Sequence, residues 1–341
     1  MCRRVLLVCL ALVLAACQSA PLAPPEPTPT AVPTLVPSPA PTQAPSATPL
    51  PTATQPPSAT PPPTAVPTRT PLPILRPFPE KYFTQVYVGD YKTMITCRGT
   101  GEPTILLEHG LDYDSWGNTW GGIPLWEISR TCYYLRVGMS LEAAPGPRTT
   151  LDQVKDLHSI LAQTGIPGPY ILVGHSIAGL NLLVYTDQYP EEVVGLVCVD
   201  CRHLSVDEIY AEKIKAELAA NPNRKFEYLG DPIADGAVWG DREKLDYLNS
   251  AKQARQVTGL GDRPIVVLVA SYDNKVPDSD PDKEKEWQLW LEAWNMAANQ
   301  LSKLSTQGRM EVVPNADHIS ILMNDAVRRA IQEVYDKVTK P

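Results

Sequence analysis

The stretch Tyr170-Ile171-Leu172-Val173-Gly174-His175-Ser176-Ile177-Ala178-Gly179 constrains this chain more than any other. Its apolar start, Tyr170–Val173, reads as a buried strand. The run breaks at Gly174, presents one serine, and passes through small residues into Leu180-Asn181-Leu182-Leu183-Val184-Tyr185, which reads as a helix. Strand must become helix through a sharp turn, and that turn lifts the Ser176 hydroxyl out of the sheet. The helix N-terminus behind it favours negative charge developing at this point. The pattern is G-x-S-x-A-G: Ala178 stands at the second motif position and Gly179 follows one place later.

The surrounding sequence supplies the sheet. Tyr82–Val88 and Tyr91–Cys97, joined at Gly89-Asp90, read as a hairpin. Thr104–Glu108, Cys132–Val137, Val193–Val199, Pro264–Ala270 and Arg309–Val313 read as further strands. Leu151–Thr164, Leu180–Gln188, Asp282–Ser305 and a final His318–Val338 read as helices. Two antiparallel strands followed by alternating β and α predict a mostly parallel, doubly wound α/β sheet of eight strands. His203–Asp262 interrupts the alternation with polar, helix-prone sequence (Ser205–Ala220, Arg242–Gln256). An insertion there stands over the carboxyl ends of the strands and reads as a cap.

A serine hydroxyl is a poor nucleophile until a base takes its proton and an acid holds that base in the right tautomer. The chain has five histidines. His109 precedes Gly110 at a strand end, His158 lies inside a helix, and His175 is adjacent to the serine on a turn that points neighbours apart. His203 opens the cap. His318 follows the last strand and returns to the sheet edge of the serine, which makes it the expected base. For the acid, Asp273 stands three residues beyond the strand ending at Ala270, giving the order Ser176…Asp273…His318. Asp200, directly after the preceding strand, is the alternative; Asp278, Asp280 and Asp282 are more simply solvated loop carboxylates. Two backbone N–H groups are expected to meet an oxyanion, those of Ile177 and Leu111. Gly110 lets the backbone approach closely there, and His109 braces the loop.

These motifs resemble the α/β-hydrolase superfamily, its lipase, esterase and peptidase members most of all. The resemblance runs over nearly all of Tyr82–Val338. It is carried by Glu108-His109-Gly110, Leu135-Arg136-Val137-Gly138-Met139-Ser140, Pro147-Arg148-Thr149, the Ser176 turn, Ser271-Tyr272-Asp273 and Ala316-Asp317-His318. It implies an α/β-hydrolase fold with a helical cap, and the roles of nucleophile for Ser176, acid for Asp273 and base for His318. Two positions depart from the pattern. Ala178 replaces the usual glycine, so its methyl must fit a crowded turn. Leu135 stands where an aspartate commonly precedes the arginine, which leaves Arg136 in need of another partner. The family's strand order also puts the second strand beside the fourth and implies a Cys97–Cys132 disulfide.

The N-terminal part is of another kind. Arg3 and Arg4 precede an apolar run, Val5–Leu14, that is too short to span a bilayer and fits a secretory signal peptide over residues 1–16. Leu14-Ala15-Ala16-Cys17 resembles a bacterial lipoprotein lipobox, which makes Cys17 the lipid-bearing first mature residue; the alternative is an ordinary signal peptide with a chance cysteine. Residues 17–79 hold 22 of the 36 prolines and carry no charge between Glu26 and Arg69. Such sequence cannot offset its ordering entropy and reads as a disordered, extended tether, whose roughly 60 residues at about 3.1 Å each approach 190 Å at full stretch. Its Ser and Thr content permits glycosylation. Residues 80–341 form the folded domain.

The remaining cysteines are Cys97, Cys132, Cys198 and Cys201. Cys198-x-x-Cys201 is a lone pair, weak as a zinc site, and Cys198 reads as a small core residue. Trp287, Trp290 and Trp294 recur at helical spacing and either pack on the sheet or line an acyl pocket. The formal net charge of −8 and the absence of a basic stripe argue against a nucleic-acid partner. The leading expectation is a lipid-anchored, extracytoplasmic serine hydrolase, carboxylesterase- or lipase-like, cleaving a small ester-like or amide substrate through an acyl-enzyme without metal or organic cofactor. The second is a hydrolase-fold surface binding protein with little or no activity. A third keeps the triad for C–C cleavage, perhydrolysis or a lyase reaction; a haloalkane dehalogenase would need an aspartate at position 176.

Overall fold

A computed structural model describes residues 78–112, 123–140, 142–203, 205–226 and 238–340. The signal segment, Cys17, nearly all of the tether and part of the cap lie outside the described residues. The chain divides into two units, 1–67 and 68–341, and the description concerns the second.

In chain order the elements are β1 (Lys81–Val88), β2 (Tyr91–Arg98), β3 (Thr104–Glu108), β4 (Thr131–Tyr134), α1 (Thr150–Thr164), β5 (Tyr170–His175), α2 (Ala178–Gln188), β6 (Val193–Val199) and α3 (Ser205–Ala220). There follow β7 (Val238–Trp239), β8 (Leu245–Asp246), α4 (Tyr247–Ala254), β9 (Ile265–Ala270), α5 (Pro281–Ser302), β10 (Gly308–Val313) and α6 (Asp325–Thr339). Eight strands make one sheet in the order β1-β2-β4-β3-β5-β6-β9-β10. β1 and β4 pair antiparallel with β2; the remaining neighbours are parallel.

Alternation along the strands builds two cores. Leu106, Leu172, Leu196 and Val267 face one side, with α1, α2 and α5 over them. Ile105, Ile171, Val197 and Val266 face the other, where α6 covers them with Val327, Ile331 and Val334. Local chemistry sets the helix ends. Thr149 and Asp152 form a reciprocal capping box at the start of α1, and Gly165 closes it at φ 64°, a left-handed conformation that glycine adopts without strain.

The register puts Cys97 opposite Cys132 on antiparallel β2 and β4, and the two form a disulfide, as the resemblance implied. Three expectations need correction. β4 ends at Tyr134, because the apolar Leu135–Val137 leaves the sheet to carry Arg136 towards the cap. The final helix starts at Asp325, where the Asn324 side chain caps it by accepting from the Ala326 N–H. His318 therefore lies in an irregular loop. In the cap, Arg242–Gln256 is not one helix: β8 pairs antiparallel with β7, and α4 begins only at Tyr247, capped by Asp246.

Candidate active site

β5 delivers Ser176 to the carboxyl edge of the sheet. Ser176 has φ 58°, left-handed backbone that is strained for a non-glycine residue. Gly174 makes this turn compatible with the helix that follows. A Cβ on Gly174 would lie 2.6 Å from Leu182 Cδ1 and 3.1 Å from the Ala178 methyl. Ala178 itself is fully buried. The glycine required beyond the serine is Gly179, where a Cβ would sit 2.7 Å from Cys201 Cβ and 2.9 Å from the Arg202 carbonyl oxygen.

The Ser176 hydroxyl lies 2.9 Å from Nε2 of His318. His318 Nδ1 lies 2.6 Å from Oδ2 of Asp200. An ionised Asp200 accepts from Nδ1–H, so Nε2 is left as the acceptor of the serine proton. Asp200 is buried and takes three further hydrogen bonds: Tyr272 OH at 2.8 Å, Trp294 Nε1 at 2.9 Å and the Ala270 N–H at 3.1 Å. Burial alone would raise its pKa. The hydrogen bond and charge of His318 outweigh that, with Trp294 and Ala270 adding to them, and hold the carboxyl below its ordinary value.

The aspartate beside His318 is thus Asp200, not Asp273. The reason is the turn after β9. Tyr272 takes φ 55° and swings its hydroxyl onto Asp200, while the next residue is carried outward. Asp273 is exposed, and Asn315 N–H approaches it only at 3.4 Å. Trp294, Tyr272 and the Cys198–Cys201 disulfide are parts of the site that the sequence reading did not assign. Cys198 is therefore not a free core thiol. The regular Trp spacing gave a signal for Trp294, whose ring begins a stacked series with Trp290 and Trp287.

The neighbouring loop is held from below. A Cβ on Gly110 would lie 2.9 Å from His175 Nδ1 and 3.4 Å from Ser176 Cβ, so only glycine lets this backbone pass so close to the serine. The Leu111 N–H follows directly. The His175 ring packs beside that of His318, centroids 4.5 Å apart, and its Nε2 lies 2.8 Å from the His318 carbonyl oxygen. Nε2 donates there, which fixes the neutral tautomer, because Nδ1 has no hydrogen-bond partner among the described residues. Burial, and then the nearby His318, push its pKa down to about 3.

Arg136 finds the partner that Leu135 does not provide. Its Nη2 donates to Glu243 Oε1 and to the Gly110 carbonyl, both at 2.9 Å, and Nη1 donates to the His109 carbonyl at 2.7 Å. Burial by itself would lower the Arg136 pKa, but Glu243 and then Glu108 outweigh it and raise the pKa above its ordinary value. Glu243 belongs to the cap and also accepts from the Asp112 N–H at 2.7 Å. Asp112 returns the bond, accepting from the Glu243 and Arg242 N–H groups at 2.9 and 3.0 Å. On the other side Glu108 accepts from Tyr134 OH at 2.6 Å and Asn181 Nδ2 at 2.7 Å. Among the described residues, no three His, Cys, Asp or Glu side chains converge as a metal-binding set.

Comparison with known proteins agrees with this geometry at the level of fold. Two solved structures superpose with TM-scores of 0.51. One is a proline iminopeptidase-related protein from Thermus thermophilus (18% identity, 76% of this chain and 98% of that one). The other is Est1E from Butyrivibrio proteoclasticus bound to ferulic acid (13% identity, 76% and 100%). Two curated proteins align over shorter stretches. The probable transporter efuK of Hormonema carpetanum is 36% identical over 110 residues, and the uncharacterized protein C23C11.06c of Schizosaccharomyces pombe is 37% identical over 73. These stretches cover 30% and 21% of this chain but only 16% and 14% of those proteins. The model of the alpha/beta hydrolase family matches residues 104–330, from β3 through the His318 loop into α6. With its sheet order, its strained serine turn and this match, the chain belongs to the alpha/beta hydrolase family.

Proposed function

We propose that the protein is a serine hydrolase that cleaves a small ester-like substrate through Ser176, His318 and Asp200. The observation that carries the reading is the unbroken relay from the Ser176 hydroxyl through His318 to buried Asp200. Family membership supports hydrolysis as the reaction type. Ser176 Oγ attacks the carbonyl carbon while His318 Nε2 takes its proton, and Asp200 stays ionised against the imidazolium. The N–H groups of Ile177 and Leu111 hold the oxyanion. His318 then returns the proton to the leaving alcohol, giving an acyl-enzyme. Water, activated by the same histidine, releases the acid and restores Ser176.

The domain is proposed to work outside the cytoplasm, held by lipid on Cys17 at the end of the Pro- and Thr-rich tether. The lipobox-like Leu14-Ala15-Ala16-Cys17 supports this placement. Turnover of p-nitrophenyl esters of short and long acyl chains tests the chemistry. Wild type is expected to hydrolyse them, with Ser176→Ala lowering kcat by about 10³-fold or more. Equal turnover by both proteins would refute it. Labelled palmitate should enter the wild type and not Cys17→Ser; equal incorporation would refute the anchor.

A further inference from the structure

Asp200 lies inside a covalent ring that the proton relay itself does not require. Cys198 is the penultimate residue of β6, Val199 ends the strand, Asp200 turns with φ 45°, and Cys201 closes back onto Cys198 through the disulfide. Both cysteines are buried. This turn and the residue that follows it grip the nucleophile. The Ser176 N–H donates to the Val199 carbonyl at 3.2 Å, and the Arg202 N–H donates to the Ser176 carbonyl at 2.8 Å. On its far side the Asp200 N–H donates to the Leu268 carbonyl of β9 at 2.7 Å. Cys201 also packs against Gly179, at the distance that forbids a side chain there. Beyond it, the Arg202 side chain is fastened to the cap by Asp207 and by Tyr247 OH.

The two disulfides of the domain differ in what they constrain. Cys97–Cys132 spans 35 residues and Cys198–Cys201 spans 3. Restriction of the unfolded chain grows with the length of the closed loop, so the short ring does less for global stability than the long one. Its effect is local, and what is local to it is the backbone of the acid and of the nucleophile. Reacting groups lose rate when their geometry slips by about 0.5–1 Å. We propose that the Cys198–Cys201 disulfide is a positioning brace. It fixes the turn that carries Asp200 against the turn that carries Ser176, and activity falls when the two sulfurs are separated. This rests on the reading of Ser176, His318 and Asp200 as the reacting set.

The test is a cycle of variants on the full chain, read with p-nitrophenyl acetate. Cys198→Ala/Cys201→Ala is expected to lower kcat about 10–100-fold with KM changed less than about threefold, the pattern of lost transition-state positioning. In an Asp200→Asn background the same double change is expected to cost markedly less, because one of the two groups it positions is already disabled. Cys97→Ala/Cys132→Ala should keep kcat. Full kcat in a folded Cys198→Ala/Cys201→Ala variant overturns the brace, and so does an equal loss in the Asp200→Asn background. If the double variant does not fold, wild type is treated with dithiothreitol. The dithiol is oxidised to its cyclic disulfide as the protein sulfurs gain two electrons and two protons. Activity should then fall in step with the thiols alkylated at Cys198 and Cys201 and return on reoxidation; unchanged activity with those thiols free overturns the proposal. Failure of the underlying reading looks different, since Ser176→Ala would then match wild type in the same assay.

Discussion

Four donors converge on one buried carboxylate at Asp200, and a single backbone turn decides that it is this aspartate and not Asp273. Both follow a strand end, and nothing in their local sequence separates them. The difference arises at Tyr272, whose left-handed backbone turns its hydroxyl inward and Asp273 outward. Ser176 and His318 were legible, because one sits on a strand–turn–helix pattern and the other stands alone after the last strand. The odd letter at Ala178 also has a residue-scale cause. The methyl fits in the core, while the crossing Cys201–Arg202 backbone moves the need for glycine to position 179. Gly179→Ala is expected to lower stability by about 1–3 kcal/mol through overpacking, read as a drop in urea midpoint at constant m. Ala178→Gly should cost only about 1 kcal/mol and keep most activity.

Between elements, the cap and the loop after β3 form one hydrogen-bonded unit. Glu243 stands 107 residues from Arg136 in sequence, and no local pattern could have joined them; the missing aspartate at Leu135 showed only that a partner was needed. β3, β6 and α3 run over the residues their patterns predict, since hydrophobic runs and turn residues agree there. β4 and the last helix do not, because an apolar residue signals burial and not the element that buries it. Glu243→Gln removes the charge that balances buried Arg136. It is expected to cost about 3–5 kcal/mol in stability, as breaking a buried pair does. In the part that remains folded, kcat should fall more than KM changes, because Asp112 and Gly110 then hold the Leu111 N–H less firmly. A thermal scan and steady-state kinetics on the same preparation check both; unchanged stability and kcat would show that the clamp does not matter.

For the molecule as a whole, buried His175 ties stability to pH. The unfolded chain, with an ordinary imidazole, binds this proton below about pH 6.5. The folded protein binds it only near pH 3. The unfolded state therefore holds more protons between these values, and stability falls as pH falls through that window. By pH 4, about 2.5 units below the ordinary imidazole value, the loss from this group is about 3–4 kcal/mol at about 1.4 kcal/mol per unit. His203, whose pKa burial pushes down to about 4, acts in the same sense. His175→Gln should flatten the dependence of the urea midpoint between pH 6.5 and 4, and an unchanged slope would contradict this origin. At this scale the family and the sheet were legible from the order of motifs, whereas the assembly of acid, aromatic donors and disulfide depends on contacts that only the folded chain makes. The most direct test of the proposed chemistry is the rate of fluorophosphonate labelling in wild type, Asp200→Asn and Asp273→Asn, with the adduct mapped by mass. The expected result is one adduct on Ser176, slowed about 10²–10⁴-fold by Asp200→Asn and changed less than about threefold by Asp273→Asn. Folded wild type that takes no label on Ser176, or an Asp273→Asn variant as slow as Asp200→Asn, would contradict it.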